Sequence, residues 1–83
     1  MNHHDIPRRR AALGMTGAAL ARELGVAPST LLRWERGDVQ IGVAMARLVE
    51  LTLGRLEREA ARRAARRATY AARTAKQNND TLE

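Results

Sequence analysis

The sequence predicts an all-α fold in which three short helices are followed by one long helix. Glycines at positions 14, 25 and 37 divide the first part of the chain into three short helical stretches, and from Ile41 to about Lys76 an apolar pattern of helical spacing is interrupted only by Gly54. No run of alternating β-branched or aromatic residues predicts a strand. With 83 residues the chain forms at most one domain, and its core must be small.

The first two helices carry start and stop signals. Asp5 is a candidate N-cap, and Pro7 follows in the first turn, where its missing N–H costs nothing. Gly14 favours the end of this helix. Thr16 is the candidate N-cap of a second helix of about eight residues that ends at Gly25.

The third helix begins near Ala27 with Pro28 in its first turn, and it stops at Gly37. Two helices joined by a tight turn at Gly25, with the small Ala21 one helical turn earlier, have the geometry of a helix-turn-helix. Apolar positions in both helices predict a core at their crossing: Leu20, Leu24, Val26, Leu31 and Trp34.

The outward positions of the third helix are polar for the most part. Ser29, Thr30 and Arg33 would point away from the core, with Leu32 beside them. A helix of this size fits the major groove of DNA, where side chains on its outer face meet base edges. Arg33 would either bind a phosphate or reach a guanine edge with both nitrogens, and we favour the guanine.

The long helix after Ile41 combines a core-facing pattern with an alanine-rich extension. Gly54 either caps a fourth helix or lies inside one long helix at a cost of about 1 kcal/mol, and we favour the single helix. The residues expected to face the core are Ile41, Met45, Leu48, Val49 and Leu53. The alanines that repeat at intervals of three and four are Ala61, Ala65, Ala68, Ala72 and Ala75, and such a seam allows two helices to approach closely.

These patterns divide the chain into four parts. We expect a disordered N-terminus over residues 1–5, a helix-turn-helix domain over residues 6–54 and a basic, alanine-rich helical extension over residues 55–76. Residues 77–83 lack an apolar pattern and are expected to be a disordered tail.

The net charge of +6 is concentrated outside the middle of the chain. Residues 11–59 carry as many acids as arginines, whereas residues 60–76 carry cations and no acid. Arginine binds phosphate through a flat fork of donors, so a polyanion is the natural partner. The alternative is that arginine keeps an alanine-rich helix soluble. The candidate phosphate contacts are Arg62, Arg63, Arg66 and Arg67.

Several function classes are disfavoured. The chain has no cysteine, and its two histidines, His3 and His4, are adjacent near the N-terminus, so we expect no metal site. Without a nucleophile–base pair, a phosphate loop or a carboxylate pair, we expect no enzyme, no cofactor and no small-molecule substrate. No apolar run approaches the ~20 residues of a spanning helix, and the first residues lack the order of a signal peptide. We therefore expect a cytoplasmic protein that does not bind membranes.

One segment resembles a known family. LGMTGAALARELGVAPSTLLRWERGD, residues 13–38, is similar to the helix-turn-helix of the phage Cro and repressor (Xre-type) family, and the likeness extends over about residues 8–54. Its most specific elements are Leu20-Ala21, Gly25-Val26 and Trp34-Glu35-Arg36-Gly37 at their mutual spacings.

The resemblance implies four or five helices and a dimer on a near-palindromic operator in double-stranded DNA, with a recognition helix over residues 28–35. It also implies a structural ion pair between Arg10 and Glu35. By position, the base-reading candidates are Ser29, Thr30 and Arg33, and the DNA-backbone candidates are Thr16, Gly17, Arg36 and Gln40.

The chain departs from the family pattern at three places. Gly17 stands where many members carry glutamine, so a phosphate contact there would come from the backbone N–H alone. Pro28 occupies a position that is often a polar base reader. The arginine- and alanine-rich extension after Arg55 lies outside the common pattern.

The leading hypothesis is a transcriptional regulator, such as a small prophage or plasmid repressor, or an antitoxin that represses its own operon. The alternative is a helical interaction module, antitoxin or adaptor, that uses the alanine seam and has nonspecific affinity for nucleic acid. A third reading, a basic helix on RNA or an anionic membrane, is weakened for the membrane because alanine supplies little apolar area.

Overall fold

The fold is all-helical, as predicted. The computed structural model describes the backbone of residues 2–82 and the side chains of residues 2–75. Within that part the helices are α1 (Asp5–Ala12), α2 (Gly17–Leu24), α3 (Pro28–Arg36) and α4 (Val43–Leu82). None of these helices is both long and apolar enough to cross a membrane.

The predicted cap of α2 is confirmed, whereas that of α1 is wrong. The Thr16 side-chain oxygen accepts a hydrogen bond from the Ala19 N–H at 3.1 Å. In α1 the N-cap residue is His4, which makes no side-chain capping bond. Asp5 is already helical, and its carboxylate accepts a 2.7 Å bond from Arg8. Asp5 therefore lies in the first turn, where its negative charge interacts favourably with the positive end of the helix dipole.

Two glycines end α2 and α3 in the same way. Gly25 and Gly37 have φ angles of +73° and +75°, a left-handed conformation that side chains with a Cβ rarely adopt. After Gly25 the Val26 N–H donates to the Ala21 carbonyl at 3.0 Å, which satisfies one of the last carbonyls of α2. The chain thereby turns sharply from α2 into α3.

The core gathers residues from all four helices. Its buried apolar members are Ile6, Leu20, Ala21, Leu24, Leu31, Trp34, Val49 and Leu53. Val26, Ile41 and Met45 pack against it while partly buried, in agreement with the predicted core.

Leu48 was predicted to face the core, and this is wrong, since 40% of it is exposed. It directly precedes the buried Val49, and one residue turns the helix by about 100°. Ile6 was not among the predicted core residues, yet it is fully buried.

The helix α4 runs without a break through Gly54, in agreement with the favoured alternative. It continues through Leu82, whereas the sequence predicted an end near residue 76. Only its first part contacts the core, and residues 61–73 are exposed throughout. The molecule is consequently elongated, with extents of 63 × 20 × 18 Å.

The N-terminal segment also differs from the sequence prediction. Disorder was expected over residues 1–5, but in the described residues 2–5 the Asp5 N–H bonds to the Asn2 carbonyl at 3.0 Å. The His3 ring lies against Gly37, and Asn2 and His3 share a surface cavity with the loop that follows α3. Met1 lies outside the described residues.

Candidate nucleic-acid interface

The helix pair α2 and α3 forms a tightly packed unit. Ala21 is fully buried, so the two helices meet where a larger side chain would not fit. Leu20 on α2 and Leu31 and Trp34 on α3 lie in the same buried cluster. This packing fixes the outer side of α3 relative to the rest of the domain.

The outer side of α3 carries an exposed polar surface. Ser29, Leu32, Arg33 and Arg36 recur at helical spacing on the side opposite the buried residues, and all four are exposed. Arg36, which the resemblance places on the DNA backbone, thus shares a side with Ser29 and Arg33. Thr30 lies at the edge of this side and is half-buried.

Arg10 connects α1 to the end of α3. Its Nε donates to Glu35 Oε2 at 2.7 Å, and its Nη2 donates to Glu35 Oε1 at 3.0 Å. The remaining nitrogen, Nη1, donates to the Met15 carbonyl at 3.2 Å, just before α2. The hydrogen bonds from the guanidinium to Glu35 raise the Arg10 pKa. This is the pair that the resemblance implies, and it also holds the loop that leads into α2.

The start of α2 lies close to this ion pair. Thr16 is exposed, and the guanidinium of Arg10 is 3.9 Å from the position that a Cβ on Gly17 would occupy. Gly17 and Ala18 are the first residues of the helix, and their N–H groups have no acceptor within it. The positive end of α2 is therefore available to an anion.

The segment between α3 and α4 contains Gln40, the last of the candidate DNA-backbone contacts. Gln40 is exposed in the loop between Gly37 and α4 and lines the cavity that His3 also lines. Among the side chains of residues 2–75, neither Arg33 nor Arg36 forms an ion pair. Their charges are consequently available to an external anion.

Two further ion-pair clusters, which the sequence reading missed, hold α4 against α1 and α2. Arg9 donates to both oxygens of Glu57, at 2.9 and 2.6 Å, and also to Glu50. These bonds raise the Arg9 pKa, and Arg9 in turn lowers the pKa of Glu57. The signal in the sequence was the spacing of the two acids, which lie seven residues apart and so share one side of α4.

The second cluster is centred on Arg55. Its Nη2 donates to Glu23 at 3.0 Å, near the end of α2, and its Nη1 donates to Glu59 at 3.1 Å. The hydrogen bond to Glu23 and, to a smaller extent, the one to Glu59 raise the pKa of this exposed guanidinium. The sequence indicated charge balance in the middle of the chain without indicating which charges pair.

The phosphate contacts predicted for the basic extension lie far along α4. Arg62, Arg63, Arg66 and Arg67 are exposed, and no side chain described for residues 2–75 pairs with them. The structure therefore separates the site into two parts, a compact surface on α2 and α3 and an extended basic surface on α4.

Comparison with known proteins bears on the compact part. A family model described as helix-turn-helix matches residues 8–60, which include α1, α2, α3 and the part of α4 that contacts the core. No curated protein and no solved structure matches the chain.

Proposed function

The chain belongs to the helix-turn-helix family of the Cro and repressor (Xre) type, a family of DNA-binding regulators, and we propose that it binds a specific near-palindromic operator and represses transcription there. The observation that carries this proposal is the division of α3 into two sides. Leu31 and Trp34 anchor its inner side in the core, while Ser29 and Arg33 stand exposed on its outer side.

Four side chains of α3 are assigned to base readout in this proposal. Arg33 reads a guanine through O6 and N7, and Ser29 donates to or accepts from a base edge. Leu32, which is 47% exposed beside them, offers an apolar contact to a thymine methyl group. Thr30 reaches a base or a sugar from the edge of the helix.

Contacts with the DNA backbone orient α3 in the groove. The N–H groups at the start of α2, next to Thr16 and Gly17, bind one phosphate. Arg36 and Gln40 bind another after the recognition helix. Such contacts fix the register of the protein on the duplex without reading sequence.

A second copy of the chain completes the proposed operator complex. One recognition helix covers too few base pairs for operator-grade selectivity, so two copies would read half-sites ~34 Å apart or at a multiple of that spacing. Val43 is 90% exposed and Leu51 is 63% exposed on α4. Leu51 lines a shallow surface depression together with Ala46, Arg47 and Glu50. Val43 lies one helical turn before Arg47 on the same side of α4, and we assign the dimer contact to this surface.

The proposal is tested by selection of duplexes from a random pool with the purified full chain. We expect one enriched sequence with approximate two-fold symmetry, and protection of that sequence at the chain's own or a neighbouring promoter. Because the protein acts on DNA, we place it in the cytoplasm of a prokaryotic cell. A pool that stays unenriched at moderate salt would contradict the proposal and favour the interaction module.

A further inference from the structure

The two sides of α4 change in composition where the helix leaves the core. The side that faces the core becomes basic, and the side that faces solvent becomes rich in alanine. Seven residues make almost two helical turns, so positions seven apart lie on nearly the same side. Val49 and Leu56 pack in or against the core, and the next positions in this register are Arg63 and Tyr70. The core-facing side of α4 therefore continues outward as a basic side.

A second register gives the same result. The buried Thr52 is followed at intervals of seven by Glu59, Arg66 and Arg73. We call the surface formed by Arg63, Arg66, Arg67, Tyr70 and Arg73 the arginine side.

The solvent-facing side of α4 changes in the opposite sense. From the exposed Arg47, intervals of seven lead through Gly54 to Ala61, Ala68 and Ala75, which are also exposed. We call the surface formed by Ala61, Ala65, Ala68, Ala72 and Ala75 the alanine side. Charge and small apolar residues are thus sorted onto different sides of the exposed part of the helix.

The chemistry of the arginine side matches a phosphate backbone. Tyr70 is 74% exposed, with Arg66 one turn before it and Arg73 one turn after it. The segment 60–75 contains no acid, and the arginines of this side form no ion pair with the side chains of residues 2–75. Arg63 and Arg67, four residues apart, repel each other, and an anion between them would relieve this repulsion.

The direction of the arginine side selects the partner. The inner sides of α3 and α4 meet in one core, where Leu31 and Trp34 join Val49 and Leu53. The side of α4 that continues as the arginine side begins near Arg55 and Glu59, and Arg55 bonds to Glu23 on α2, the helix that packs against α3. The arginine side therefore extends from the side of α4 that contacts the α2–α3 pair, the unit proposed to bind DNA. We propose that the arginine side binds the sugar-phosphate backbone of duplex DNA flanking the sequence read by α3, an inference that rests on the proposed function.

The test compares two double variants that remove the same charge from different parts of the molecule. Arg66→Gln/Arg73→Gln alters the arginine side. Arg22→Gln/Arg58→Gln removes the same charge away from the arginine side, from the last turn of α2 and from the position that precedes Ala65 by seven residues. All four arginines are exposed and form no ion pair with the side chains of residues 2–75.

The measurement is the slope of log affinity against log salt on a random-sequence duplex, at protein concentrations that saturate any dimer. If each arginine contacts one phosphate, Arg66→Gln/Arg73→Gln flattens this slope by about 0.9 per contact. Arg22→Gln/Arg58→Gln should leave it close to that of the unaltered chain. Equal slopes for the two variants would overturn the inference.

Tyr70 distinguishes a duplex from unpaired bases. Tyr70→Phe and Tyr70→Ala both remove the hydroxyl that would contact phosphate. Both variants should therefore lose the same amount of affinity for the duplex. Stacking on unpaired bases needs only the ring, so Tyr70→Phe would then retain its affinity. That result, together with tighter binding to single-stranded RNA or DNA than to duplex, would overturn the assignment to duplex DNA.

Failure of this inference and failure of the proposed function give different results. If the unaltered chain selects an operator but the two double variants have the same salt slope, the inference that the arginine side binds DNA is overturned. The function proposed for α3 then stands. If the chain selects no sequence while the slopes differ, the operator proposal is overturned and the contact between the arginine side and duplex is supported.

Discussion

Arg10 on α1 and Glu35 on α3 are joined by two parallel hydrogen bonds, of 2.7 and 3.0 Å. The Glu35 side chain is only 7% exposed, so its charge depends on this one partner. Since Arg10 also binds the Met15 carbonyl, a single side chain holds the end of α3 in place relative to the start of α2. Phosphate contacts are proposed at both places, at the start of α2 and, through Arg36, at the end of α3.

We predict that Arg10→Ala and Glu35→Ala each lower the free energy of unfolding by about 1–3 kcal/mol, because each leaves a buried hydrogen-bonding group without its partner. The double variant should lose less than the sum of the two losses, since it removes both charges together. Denaturant melts of the three variants measure the coupling. Losses that add would contradict an energetic pairing.

On the outer side of α3, Arg33→Ala should weaken binding to the selected operator by about 1–3 kcal/mol. It should also relax the base preference at one base pair in each half-site. Arg33 is exposed, so the fold should be unaffected. Competition between operator variants checks the expectation, and Arg22→Ala, an exposed arginine on α2, serves as the control. Uniform weakening on every sequence would instead assign Arg33 to a phosphate.

How far the sequence predicts this molecule depends on the range of the interaction. The Thr16 cap and the turn at Gly25 are set by neighbouring residues, so they could be predicted. The Arg9 cluster joins positions 48 residues apart in the chain, and nothing local indicates that Arg9, rather than its neighbour Arg10, contacts α4. The burial of Ile6 could not be predicted for a similar reason, because one large apolar residue on a short polar helix shows no periodicity.

The uninterrupted α4 gives a stability prediction at Gly54. Gly54→Ala should raise the free energy of unfolding by about 0.5–1 kcal/mol, because alanine loses less backbone entropy in a helix. A Cβ at this position would lie 3.3 Å from Arg58 Nη1, the end of a flexible and exposed side chain that is free to move. Thermal melts at several protein concentrations separate this effect from any change in association.

The same substitution at Gly37 provides a matched contrast. Gly37 has a φ angle of +75°, and a Cβ there would lie 2.9 Å from the His3 ring. Gly37→Ala should therefore destabilise the fold by about 1 kcal/mol or more. A neutral result would show that neither the turn nor the packing of His3 constrains this position.

The Arg9 cluster predicts a loss of stability in acid. Hydrogen bonds from Arg9 lower the pKa of Glu57 in the folded chain below its ordinary value of 4.5. A carboxyl with a lowered pKa contributes its full stabilisation above the ordinary value and loses it as the pH falls through the folded-state pKa. Because Glu57 is partly exposed, we expect only about 0.2–1 kcal/mol.

Melts between about pH 6 and pH 3 measure this contribution. Glu57→Gln should lower stability at the upper end of this range and converge with the unaltered chain at the lower end. Asp38→Asn is the control, since Asp38 forms no ion pair with the side chains of residues 2–75. A constant offset between Glu57→Gln and the unaltered chain across the range would remove Glu57 as a source of acid sensitivity.

The last prediction concerns the second copy of the chain. Val43 and Leu51 are exposed in the single chain, so Val43→Glu/Leu51→Glu should change its stability by no more than about 0.5 kcal/mol. If these residues lie at the dimer contact, the variant buries two carboxylates there, and sedimentation should show a folded monomer where the unaltered chain dimerises. Tyr70→Glu is the control, because it places a carboxylate on the arginine side of α4 instead, and it should dimerise like the unaltered chain. Operator binding by Val43→Glu/Leu51→Glu should then depend more steeply on protein concentration, because each half-site must recruit its own monomer. An unaltered chain that sediments as a monomer both free and on its operator would contradict the dimer, and a Val43→Glu/Leu51→Glu variant that dimerises normally would move the contact to another surface.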